Sequence, residues 1–172
     1  MVVLDNVRSL YNVGAVMRAC DGAGVTRLIA CGITPYPPLG PADPRRGPVA
    51  ERAGRELCKT ALAAYERVKV EWCPTAAEAI ARVRAEGATV VAVERAPGAV
   101  PYWAAPELDA CPLALALGHE VEGIAPNVLD LADAVVEIPM LGAGAPLNVA
   151  VAAAIVLYEL VRRRAVTGAT AR

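Results

Sequence analysis

Six short apolar runs recur along the chain, at residues 2–4, 27–31, 68–72, 89–93, 113–117 and 134–138, with helical stretches between several of them. Apart from 68–72, Val-Lys-Val-Glu-Trp, none of the six alternates polar with apolar residues, as a strand with one wet face would. Near-continuous apolar strands separated by helices need cover on both faces, so the pattern predicts an α/β fold with a mostly parallel sheet between two helical layers. The clearest helix is "TAAEAIARVRAEG", residues 75–87. Thr75 and Glu78 form a capping box, Ile80 and Val83 share a face, and Gly87 is a natural terminator.

At 172 residues the chain is long enough to bury a core without disulfides or metal. One domain over residues 1–164 is expected, followed by a flexible tail at 165–172. Hydrophobic residues make up 56% of the chain, yet the longest unbroken apolar run, 149–158, is far short of the ~18 to 20 residues that span a bilayer. The excess is therefore assigned to a core or a subunit interface, with no membrane partner. No charged segment precedes an apolar stretch at the start, so no secretory signal is read and a cytoplasmic location is expected. The five cysteines, at 20, 31, 58, 73 and 111, form no C-x-x-C pair, and the chain has a single His. Reduced thiols and no metal site are expected.

With a formal net charge of −1, any nucleic-acid partner would have to be held by local patches. Two are visible: Arg45, Arg46, Arg52, Arg55 and Lys59, and the run Arg162 to Arg164. Residues 34–48 hold six prolines, at 35, 37, 38, 41, 44 and 48, and are expected to lack regular structure and to form a functional or mobile loop.

Three stretches carry the chemistry. "NVGAVMRACDGAGV", residues 12–25, follows directly on the first strand; Asn12 suits an N-cap, and Arg18 shares a face with Gly14. A gap at Gly14 would leave Arg18 beside a phosphate-sized pocket near the positive end of the helix. "LALALGHEVEGI", residues 113–124, places Gly118, His119, Glu120, Glu122 and Gly123 at the carboxyl end of an apolar strand, where α/β sheets bind ligands. His119 is a candidate base. "VEIPMLGAGAPLNVAVAAAIVLYEL", residues 136–160, again runs from a strand through a Gly-rich loop into a helix. Pro146 suits the first position of that helix, which is apolar on nearly every side. Small residues at Ala150 and Ala152 to Ala154 would let another backbone approach closely. "LGAGA" also reads as a dinucleotide phosphate loop, but the third glycine of G-x-G-x-x-G is missing, as is a ribose-binding acid downstream.

Taken in order, N-x-G-x-x-x-R, L-G-x-E-x-x-G and I-P-M-x-G followed by L-N-V resemble the three motifs of the SpoU/TrmH family of RNA 2′-O-ribose methyltransferases, in the SPOUT class. The resemblance runs from Val2 to about Glu159 and implies an α/β knot in the C-terminal part, S-adenosylmethionine as cofactor, tRNA or rRNA as partner, and a homodimer whose subunits share each site. It implies catalytic roles for Arg18, Asn12, Glu120 and Asn148, and cofactor contacts at Leu117, Gly118, Ile138, Met140, Gly142 and Leu147. Two departures stand out: Pro146 and Ala150 replace serines that flank the family's L-N-V. The chain also begins directly on its first strand, without the separate RNA-binding domain of many members. A catalytically inactive knotted RNA-binding protein is therefore the alternative. A guanidinium hardly ever deprotonates, so Arg18 either orients the nucleotide phosphate or acts as a base perturbed by its surroundings, with Glu120 the conventional acid-base choice.

Overall fold

The computed structural model describes residues 1–142 and 144–166. Seven strands, β1 Val2–Asp5, β2 Arg27–Cys31, β3 Lys69–Cys73, β4 Thr89–Val93, β5 Val100–Pro101, β6 Leu113–Leu117 and β7 Ala134–Glu137, form one sheet in the order β3-β2-β1-β6-β4-β7-β5. Every neighbouring pair is parallel. The six apolar runs became strands within a residue of their expected limits. The seventh, β5, is two residues long and carries a proline, and lies at the edge of the sheet where a missing N–H is tolerated.

Helices cover both faces. Val2 and Leu4 face a core formed with α1 Leu10–Gly22, α2 Gly47–Ala61 and α6 Val149–Val166, while Val3 and Ile29 face the opposite core, built with α4 Ala76–Ala85 and α5 Pro126–Leu129. A short α3, Ala64–Arg67, leads into β3. In α4 the Thr75 side chain accepts from the Glu78 N–H, and Gly87 closes the helix at φ +84°.

The Pro-rich stretch is more ordered than its composition suggests. It holds a 3-10 turn at Gly40–Ala42, and α2 starts inside it at Gly47. Arg45 organises the segment: its guanidinium donates to Asp43 and to the carbonyls of Tyr36 and Pro37, and lies 3.5 Å from the centre of the Tyr36 ring, which stacks on Trp72. Arg45 holds the Asp43 carboxyl well below the usual carboxylate range. Of the five thiols, Cys20, Cys31 and Cys73 are buried and Cys58 and Cys111 exposed. Helix α6 runs two residues past the expected domain limit, to Val166, and the rest of the expected tail, 167–172, lies outside the described residues. Among the described residues no helix is long and apolar enough to cross a membrane.

Candidate active site

The strand order places β6 between β1 and β4, so the chain leaves β1 in one direction to build β2 and β3 and returns on the other side. Such a switch opens a crevice at the carboxyl ends of the strands. A cleft lies there, enclosing about 720 Å³ with its open mouth, between the ends of β4, β6 and β7 and the start of α6. Its lining is mainly apolar, with Val93, Leu117, Ile138, Leu147 and Val149, and carries charge at Glu94, Arg95, Glu120 and Glu137.

Five of the six residues expected at a cofactor line this cleft: Leu117, Gly118, Ile138, Met140 and Leu147. Gly142 is exposed and outside the lining. Gly118 is there because nothing larger fits. A Cβ at this position would stand 2.4 to 2.5 Å from the backbone of Gly123 and Ile124. The loop after β6 folds back on itself, with the His119 N–H donating to the Gly123 carbonyl at 3.1 Å and the Gly123 N–H to the His119 carbonyl at 3.0 Å.

Beside the cleft the three motifs meet. Glu120 Oε1 accepts from Asn12 Nδ2 at 2.8 Å and from the Ser9 N–H at 3.0 Å, and Oε2 accepts from the Arg8 N–H at 3.1 Å. Asn12 Oδ1 accepts in turn from Asn148 Nδ2 at 2.9 Å, and Asn148 Oδ1 accepts from the Ala150 N–H at 2.9 Å. Residues 12, 120 and 148 thus form one continuous chain of hydrogen bonds. Partial burial pushes the Glu120 carboxyl up, but the Arg8 and Ser9 N–H groups and the Asn12 amide outweigh it, and the net shift is below the usual glutamate range.

Three local expectations are corrected. Asn12 does not cap α1: Ser9 does, its hydroxyl accepting from the Asn12 N–H, and this leaves the Asn12 side chain available for the tertiary contacts. Pro146 is not the first residue of α6. Asn148 caps that helix through the Ala150 N–H, and Pro146 lies in the preceding loop against the cleft. There is also no gap at Gly14. A Cβ there would meet Thr60 Oγ1 of α2 at 2.0 Å, so the missing side chain lets two helices pack instead of opening a phosphate pocket.

Arg18 stands apart from the network. It is exposed on α1, does not line the cleft, and makes no hydrogen bond or ion pair among the described residues. It shares a flank with Tyr11, which is 73% exposed, Ala15 and Gly22. Gly22 abuts the Tyr158 hydroxyl of α6. The outward side of α6 continues this surface with Val151 and Tyr158, 47% and 53% exposed, and half-buried Ala154 and Ile155 between them. Of the small residues on α6, Ala150 and Ala153 are buried within the chain and Ala152 lines the cleft, so only Ala154 is left for an outer contact.

The two basic patches are also partly occupied. In the first, Arg45 is structural, and Arg55 and Lys59 pair with Glu51 and Glu56, while Arg46 and Arg52 are exposed. In the second, Arg162 and Arg163 bind the buried Glu159, and Arg162 first among them holds its carboxyl down to about 2. Three charged cleft residues were not singled out in the sequence, Glu94, Arg95 and Glu137. Glu94 is the first polar residue after apolar β4, and the rule that selected Glu120 at the end of β6 would have selected it too. Its Oε2 accepts from the Ile124 N–H at 2.9 Å.

Residues 47–158 match the model of the SpoU rRNA Methylase family. The chain belongs to this family. It is 31% identical over 168 residues to a tRNA (guanosine(18)-2′-O)-methyltransferase of Thermus thermophilus, covering 97% of this chain and 76% of that one. It is also 31% identical over 164 residues to a 23S rRNA (guanosine-2′-O-)-methyltransferase of Shewanella oneidensis, covering 95% of this chain and 59% of the relative. Among solved structures, the AdoMet-bound rRNA methyltransferase of Sinorhizobium meliloti superposes with a TM-score of 0.78 at 29% identity over 94% of this chain and 55% of that one. The chain thus spans a little over half to three quarters of the length of these three proteins.

Proposed function

We infer that this SpoU-family chain is an S-adenosylmethionine-dependent methyltransferase acting on the ribose 2′-hydroxyl of a nucleotide in tRNA or rRNA. The observation that carries the reading is the junction of Asn12, Glu120 and Asn148, which ties three distant motifs together at the mouth of an apolar cleft. The relatives' names and the cofactor named with the Sinorhizobium structure support the same class of reaction.

The cleft suits the cofactor. Its walls are mainly apolar, as an adenine ring requires, and Gly118 lets the loop after β6 pack directly against the end of that strand to form one of them. When bound, S-adenosylmethionine supplies a methyl group carried on a sulfonium. Leu117, Gly118, Ile138, Met140 and Leu147 would hold it, and Glu94 and Glu137 offer carboxylates for its hydroxyl and ammonium groups. Transfer to an oxygen requires that the oxygen be held in line with the methyl group, so most of what the protein contributes is position. Glu120, ionised and saturated with donors, fixes the start of α1 against the loop after β6. It is poorly placed to take a proton at neutral pH. Asn12 and Asn148 extend that fixation to α6, and Gly142 belongs to the loop between.

Arg18, which does not reach its own cleft, anchors a substrate phosphate in the cleft of a second subunit through a bidentate contact. This reading requires a homodimer. The joined flank of α1 and α6, with Tyr11, Val151, Ile155 and Tyr158, is the surface it would cover. The C-terminal knot and a cytoplasmic location belong to the same reading, the knot carried by the motif resemblance.

Transfer of labelled methyl groups from S-adenosylmethionine to total RNA, followed by digestion to nucleosides, tests the reaction. Label in 2′-O-methyl nucleosides is expected. Cofactor binding without any transfer to tRNA or rRNA would favour an RNA-binding protein without activity.

A further inference from the structure

The only histidine of the chain has a specific place in the cleft. His119 Nδ1 accepts from two consecutive backbone N–H groups, those of Val121 and Glu122, both at 3.1 Å. An imidazole nitrogen that accepts is unprotonated, so the geometry selects one tautomer, with the proton on Nε2. These two bonds close the turn between His119 and Gly123 from the inside, while Glu94 holds it from outside at Ile124. The turn forms one wall of the cleft, contributing Gly118, His119, Glu120, Val121 and Gly123, and presents Glu120 to the start of α1.

We propose that His119 is a positioning residue, whose Nδ1 holds the wall of the cofactor cleft in its binding shape, so that protonation of the imidazole weakens cofactor binding. A protonated imidazole has two donors and no acceptor. Both N–H groups would then lose their partner and face a new N–H, and the turn would have to reopen. Asp5 at the end of β1 interacts electrostatically with His119, and the charged groups that share its cleft or turn are Glu94 and Arg95 after β4, Glu137 at the end of β7, and Glu120 and Glu122 in the turn itself. None of them supplies a replacement acceptor inside the turn, where the contacts are made by Nδ1 alone.

The inference rests on the cofactor reading above, and calorimetry with S-adenosylhomocysteine on three variants separates the two. His119→Asn keeps an acceptor at the δ position and removes the titratable ring. His119→Gln moves the polar group one bond outward, and His119→Ala removes it. At pH 8, His119→Asn should bind within about threefold of wild type, whereas His119→Gln and His119→Ala should each bind about tenfold more weakly. Wild-type affinity should fall on acidification that protonates the ring, and the fall should be absent in His119→Asn. Equal affinity in Ala and wild type, or the same pH slope in Asn and wild type, would overturn the proposal while leaving the function standing. If His119→Ala does not fold, the pH comparison between wild type and His119→Asn still decides. No binding by wild type at any pH would overturn the cofactor reading and this inference together.

Discussion

Two flanks of the same helix are built in opposite ways. Toward its start, α1 is fastened inside the chain: Ser9 caps it, Glu120 takes the N–H groups of Arg8 and Ser9, and Asn12 bridges Glu120 to Asn148. On its outer flank Tyr11, Ala15 and Arg18 are exposed, and Arg18 has no hydrogen-bonding or ionic partner among the described residues. An arginine beside an apolar, exposed surface is an unusual place for a residue to which the motif resemblance assigns a catalytic role. The contrast teaches that the first region is completed by this chain, while the proposed function assigns the completion of the second to another subunit. A network of satisfied groups positions, and a guanidinium with five uncommitted donors recognises.

The largest expected effect breaks the second region. Arg18→Ala should reduce methyl transfer at least about 100-fold, the range of a lost transition-state contact, with cofactor affinity measured by calorimetry essentially unchanged. Wild-type turnover would make Arg18 an ordinary surface residue.

A smaller effect sharpens the first region. Glu120→Gln puts an amide where three donors converge, leaving at least one N–H without an acceptor, and should destabilise the fold by about 1 to 3 kcal/mol in urea unfolding. The sign of the pH dependence follows from the depressed carboxyl. Its contribution is present above the unfolded glutamate range and is lost as pH falls through the lower folded value. The stability difference between wild type and Glu120→Gln should therefore shrink on acidification. A difference that grows would contradict the network.

Much of this was legible before any coordinates. The apolar runs gave the strands, and five of the six gave the parallel class too, because a strand buried on both faces has no room for polar alternation; the run at 68–72 alternates, and its strand β3 lies at the edge of the sheet. The cap of α4 was legible because it is local, with donor and acceptor three residues apart. Asn12 and Pro146 were misplaced for the converse reason. Several residues in each stretch could cap, and tertiary contacts decided between them: Glu120 and Asn148 claim the side chain of Asn12, and Asn148 takes the cap that would have put Pro146 inside α6. Gly14 misled similarly, since a glycine leaves a gap only if no neighbour fills it, and Thr60 lies too far along the sequence to be foreseen. Edge strand β5 is too short to show a pattern. Arg45 looked like one of five members of a nucleic-acid patch because charge is visible in a sequence, and its pairing with Asp43 and two carbonyls is not.

The central claim is that Arg18 of one subunit acts in the cleft of the other. Co-expression with two different tags allows purification of a heterodimer in which one chain carries Arg18→Ala and the other Met140→Arg, the latter blocking its own cleft. Each parent homodimer should be inactive. If the sites are shared, the heterodimer keeps one complete site out of two, and its methyl transfer should return to about half of the wild-type rate. A heterodimer as inactive as its parents would place Arg18 in the service of its own chain and contradict the account.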